Sequence, residues 1–236
     1  MLAILKKEIQ TFFATPVGYL VIGVFLITNG LFLWVLKGEY NIFDYGFADL
    51  SGYYFLAPWL FLFLIPAITM KSFSEEKKQG TLELLLTKPI SLTQLILGKY
   101  LGALSLIIIA LIPTLLYIYT VHQLGNPIGN IDLGSAIGAY TGLLGVAMIY
   151  SSIGIFTSTV SNNQIVSFIL AVILCFIMYF GFDTLSESTM NSISLIGIKN
   201  HFENISKGII DTRDVIYFIS TSALFLYTTK LILAKK

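Results

Sequence analysis

Six long apolar runs, separated by short polar stretches, dominate the chain; they lie near residues 17–36, 54–70, 100–121, 135–156, 165–182 and 215–233. About 20 helical residues cross a hydrocarbon core, so each run predicts a membrane-spanning helix, the second and fifth being short. Buried helices of a large soluble core are the competing reading. Six such runs in 236 residues leave no amphipathic shell to keep that core in water. The fold class is therefore all-α and integral to a lipid bilayer.

Two further stretches carry a different pattern. In residues 1–16, Leu2, Leu5, Ile9, Phe12 and Phe13 recur at helical spacing, with Lys7, Gln10 and Thr11 off the stripe. That predicts an amphipathic helix lying in the membrane interface or packed beneath the bundle, before Pro16 redirects the chain. Residues 183–214 form a long segment before the last span, with Ile193, Leu195, Ile196, Ile198, Phe202, Ile205, Ile209 and Ile210 among its polar residues. Short helices in the outer leaflet fit it better than a soluble domain, which needs more than about 40 residues.

Composition agrees with the pattern: 56% of residues are hydrophobic and 11% charged, against about 25% charged in soluble domains. No basic stripe with interleaved aromatics appears, which disfavours nucleic acid as a partner. Cys175 is the sole cysteine, so an intrachain disulfide and a cysteine-built metal site are excluded. The first residues lack a short apolar core followed by a small-residue cleavage site, and the N-terminus is expected to be retained.

The placement of charge sets the expected orientation. With six spans both termini share a side. That side holds Lys6, Lys7, Lys71, Lys77, Lys78, Lys88, Lys99, Lys230, Lys235 and Lys236, whereas the other holds only Lys37, Lys199, Lys207 and Arg213. Basic residues mark the cytoplasmic face, so a multi-pass inner-membrane protein with both termini inside is expected. Asp44, Asp132, Asp183, Glu187 and Asp214 are among the acids on the opposite side. One membrane domain then fills residues 1–236, with a cytoplasmic hairpin at 71–99 and an extracytoplasmic loop at 183–214.

The densest ionic cluster lies within that hairpin, in "MKSFSEEKKQGTLELLLTKPISLTQLILGK". Ser72 and Glu75 have capping-box spacing, Gly80 breaks the run, and Thr81 can cap a new helix with Glu83 in its first turn. Pro89 stops that helix after about two turns. Leu82, Leu85 and Leu86 share one of its faces. Ser91 and Gln94 form a second capping box that launches the third span. A helix this short needs a surface to pack on. It either packs on its own bundle as an ordinary loop or docks on a cytoplasmic partner.

The run "KSFSEEKKQGTLELLLTKPIS" resembles the stretch after the second span in permeases of the type-2 ABC exporter family. The likeness extends along the chain. The segment "HFENISKGIIDTRDVIYF" at 201–218 is similar to the outer segment of the gliding-motility-associated branch. The resemblance implies that residues 75–89 form the coupling region that docks on an ATP-hydrolysing subunit. Glu75 and Glu76 match its acidic pair, Gly80 and Thr81 its break and cap, and Glu83 its following acid. Leu82, Leu85 and Leu86 would fill the partner's groove. It further implies a second permease, identical or related, and ATP bound on the separate ATPase, since no GxxxxGK[ST] loop occurs here. No cofactor, metal or catalytic residue is expected in this chain.

Other residues carry weaker signals. Gly134, Gly138 and Gly142 recur at four-residue spacing, as do Gly98 and Gly102. Close packing within the subunit is favoured for them over a subunit interface lining a path. Asn29, a polar amide in the first span, is expected to make an interhelical hydrogen bond or to face that path. Pro66 and Pro113 are expected to kink their spans. His122 and His201 join no visible metal cluster or catalytic pair, and the Asn204-Ile-Ser206 sequon is a frequent chance match. No ionisable residue lies deep in a span, which argues against a proton relay or an ion-driven carrier. The pattern thus points to a permease subunit of an ATP-driven exporter. A membrane scaffold that recruits a cytosolic partner through the same hairpin, without moving a substrate, is the alternative.

Overall fold

The computed structural model describes residues 1–87, 90–184 and 196–234, and within them every side chain except those of Leu84 and Leu86. The expected helix stop at Pro89 lies outside the described residues, as do Lys88, Glu187, Ile193, Leu195, Lys235 and Lys236. The described residues are helical, without strands. The helices are α1 (Leu2–Ala14), α2 (Pro16–Gly30, continued by a π-helical turn Leu31–Val35), α3 (Ile42–Tyr45), α4 (Ser51–Thr69), α5 (Lys71–Lys78) and α6 (Thr81–Leu86). They continue with α7 (Leu92–Leu111), α8 (Leu115–Leu124), α9 (Leu133–Val160), α10 (Gln164–Phe176, continued by a π-helical turn Ile177–Gly181), α11 (Ile198–Ser206) and α12 (Thr212–Ala234).

Six helices are long and apolar enough to cross a membrane: Pro16–Val35, Ser51–Lys78, Leu92–Leu124, Leu133–Val160, Gln164–Thr184 and Thr212–Ala234. Most of them run past the apolar runs at one or both ends, and for three of them a polar cap outside the run starts the helix. Ser91 accepts a bond from the Gln94 amide and Gln94 reaches back, completing the expected capping box of α7. Asp132 caps α9 and Asn163 caps α10 in the same manner, through their side-chain oxygens. The box expected at Ser72 and Glu75 does not form. The second span continues through Met70 into α5, and Ser72 is buried within that helix.

Helix α9 is the axis of the bundle. It is buried along most of its length, and α4, α7, α10, α11 and α12 all pack on it. Lipid tails are as apolar as leucine, so these contacts rest on close packing rather than on the hydrophobic effect. Glycines provide that closeness. A Cβ added at Gly142 would come within 2.8 Å of the Phe202 ring, and one at Gly138 would overlap the Ile205 carbonyl oxygen. Both neighbours belong to α11 of the same chain. Gly138 and Gly142 therefore serve close packing inside the subunit, the reading favoured from their spacing.

The two ends of the bundle are built differently. At one end Ile4, Phe73, Leu82, Leu95, Ile96, Tyr100, Ile155 and Leu233 form a small second core. The N-terminal helix, the α5–α6 hairpin and the end of the last span thus meet at a single end, as an even number of spans requires. At the far end Pro113 separates α7 from α8 and lies in a tight turn. Thr114 seals that break: Tyr53 lies 2.9 Å from its hydroxyl, and the Tyr140 hydroxyl donates to its carbonyl at 2.7 Å. Pro66 sits inside α4, which continues through it.

Candidate functional site

The hairpin reverses at Gly80, whose φ of 70° is left-handed and strained for a residue with a Cβ. Glycine at this position lets α5 and α6 fold together. The cap expected from Thr81 is absent. Its hydroxyl instead donates backward to the Glu76 carbonyl at 3.3 Å, closing the end of α5 rather than starting α6. Glu83 lies in the first turn of α6 and is exposed.

Leu82 is buried, 5% exposed, in the second core, and Leu85 packs partly against it. The short helix has found its surface on its own bundle, and Leu82 is not available to fill a partner's groove. Burying one leucine from water contributes about 1.5–3 kcal/mol, enough to hold a single turn in place. The Leu86 side chain lies outside the described ones. Lys77 adds a polar anchor by donating to the Thr159 carbonyl at the end of α9, where a cation also meets the negative pole of the helix dipole.

The two adjacent acids have separate roles. Glu75 is half-buried, with the Gln79 amide 3.4 Å from its carboxylate. Glu76 turns inward and accepts a 2.7 Å bond from Lys99, which is 4% exposed. The same ammonium donates to Glu8 at 3.2 Å and to the Ser72 carbonyl at 2.6 Å, and lies 5.1 Å from the centre of the Phe73 ring. One cation thus joins α1, α5 and α7. The glycine notches on α7 make room for it. Gly98 receives Ile4 and Gly102 receives Glu8, where an added Cβ would come within 2.8 and 2.7 Å. The face of α1 turned to the bundle therefore carries Ile4 and Glu8, while Leu2 from the expected stripe is exposed. A cleft of about 290 Å³ opens beside the cluster, lined in part by Lys7, Thr11, Lys71 and Glu75.

Reasoning from sequence missed Glu8 altogether and counted Lys99 only as a topology charge. The interval offered a signal. Ile4 and Glu8 stand four residues apart, as do the glycines that receive them.

A family model described as ABC-2 family transporter protein matches residues 2–234, nearly the whole chain. The chain belongs to the ABC-2 transporter family. It is accordingly the transmembrane permease of an ABC transporter, and membership implies pairing with a cytoplasmic ABC ATPase subunit. No curated protein matches it.

Two other residues of this ABC-2 permease depart from expectation. Asn29 is fully buried, and its amide donates to the Phe25 carbonyl of its own helix at 2.8 Å. It makes no interhelical hydrogen bond, and its side-chain oxygen has no hydrogen-bond partner among the described residues. His201 is paired rather than isolated. Its Nδ1 lies 2.5 Å from Asp214, and its ring stacks on Tyr217 at 3.8 Å. Among the described residues no group of His, Cys, Asp and Glu is arranged to hold a metal.

Proposed function

We propose that this permease is a subunit of an ATP-driven exporter in the cell inner membrane, with its hairpin end in the cytoplasm. The hairpin docks on a separate ATPase subunit, which holds the ATP, and a second permease, identical or related, completes the assembly. The observation that carries this reading is the arrangement of the hairpin. Its inner side is fixed to the bundle by Leu82, Lys77 and Glu76, while Lys78, Gln79, Gly80 and Glu83 stay exposed at its tip. A lever has this form: a surface offered outward and a base fixed to the parts that move. Closure of the ATPase pair pushes the tip. The second core passes the push to spans three, four and six through Leu95, Ile155 and Leu233, beyond the tilt of spans two and three that the chain connection alone provides.

A gliding-motility association is supported by the resemblance of residues 201–218 to that branch. The His201, Asp214 and Tyr217 contacts fold the two ends of this motif onto each other.

The test is copurification from membranes followed by ATPase assay in lipid. The exporter reading expects a bound subunit with a phosphate-binding loop. It also expects Glu83→Lys and Gly80→Val variants that insert normally but no longer link hydrolysis to the permease. A partner without ATPase activity supports the scaffold instead, and normal coupling in both variants removes the docking role.

A further inference from the structure

Among the features that docking leaves unused, the buried charge cluster at Lys99 carries the argument furthest. Two carboxylates, Glu8 and Glu76, share one ammonium, and the second oxygen of Glu76 is buried with no partner among the described residues. As a device for stability alone this is a poor design, because well-packed apolar side chains of similar volume often hold a fold as well as a buried ion pair. As a joint it is well made. An ammonium on a four-carbon stem is a point charge with rotatable donors, and it can keep both acceptors while they shift by fractions of an ångström. The neighbouring cleft leaves α5 room for such a shift. The three elements it joins are the ones that lie at the base of the lever.

We propose that Lys99 is a positioning residue that makes α1, α5 and the head of α7 move as one body when the hairpin is displaced. A push on the tip then turns α1 together with the third span, instead of sliding α5 past it. The proposal rests on the docking role of the hairpin given above.

The experiment uses the permease copurified with its ATPase in lipid nanodiscs, without nucleotide and after trapping with Mg-ATP and vanadate. Spin labels at exposed Lys6 and Lys71 report α1 against α5; labels at Lys71 and Ile165 report α5 against the head of α10. The expected result is a Lys71–Ile165 distance that changes on trapping and a Lys6–Lys71 distance that does not. In the neutral variant E8Q/E76Q/K99M, which removes the buried charges together and so spares the fold, the Lys6–Lys71 distance should change on trapping. Permease-dependent ATP hydrolysis should fall by roughly 5-fold or more. A Lys6–Lys71 distance that shifts in the unmodified complex overturns the joint, as does a neutral variant that keeps it fixed with full activity. A Lys71–Ile165 distance that never changes overturns the lever itself, and the joint falls with it.

Discussion

The two ends of the bundle solve one problem in opposite ways. Each must bury polar groups where the chain leaves the regular helical pattern. The far end does so with neutral groups: Tyr53, Tyr140 and Thr114 close on one another, and Tyr140 also reaches the Thr114 carbonyl beside the Pro113 turn. The hairpin end uses ions: Lys99 holds Glu8 and Glu76, and Lys77 holds the end of α9. Neutral hydroxyl bonds are directional and short. Ion pairs act over longer distances and tolerate small displacements. On the proposed lever reading, the far end serves as the fixed frame and the hairpin end as the part that moves.

Removing charge from the hairpin end should have the largest effect. Lys99→Met leaves two half-buried carboxylates without their shared cation, and should cost about 3 kcal/mol in thermal unfolding of the purified permease. The neutral E8Q/E76Q/K99M variant should recover most of that loss. If it recovers none, the cluster acts through packing rather than charge. At the far end of the axis, Gly138→Ala places a methyl group on the Ile205 carbonyl and should cost about 1–3 kcal/mol by the same measurement. A neutral result there would show that α11 is free to move away. Tyr53→Phe removes one hydroxyl from a site where Thr114 keeps Tyr140 as a partner, and should cost only about 1 kcal/mol. A loss as large as that of Lys99→Met would erase the difference between the two ends. The smallest change in stability is expected at the exposed tip. Glu83→Gln should stay within about 0.5 kcal/mol while weakening ATPase binding measured by copurification.

The spans were legible because a hydrocarbon solvent demands long apolar helices, and nothing else in the chain mimics them. Their ends were less so, since Asp132 and Asn163 extend helices from outside the apolar runs. Within the hairpin, the turn at Gly80 and the box at Ser91 depend on near neighbours and could be read directly. Thr81 could not, because its hydroxyl had a choice between capping α6 and closing α5, and only the folded turn decides. Glu76 read as half of a surface pair because its partner lies 23 residues away and the third member, Glu8, 91 residues from Lys99. Contacts of that range leave no local pattern. The glycine spacing marked where helices touch but not which helix arrives, so Gly138 and Gly142 remained open until α11 was seen against them.

The most direct test of the lever is a photo-reactive amino acid placed at Glu83, with Ile210 at the far end as control, irradiated in native membranes. The account predicts an adduct between position 83 and an ATP-binding subunit, and none from position 210. An adduct at 210, or none at 83 while the ATPase still copurifies, would contradict it.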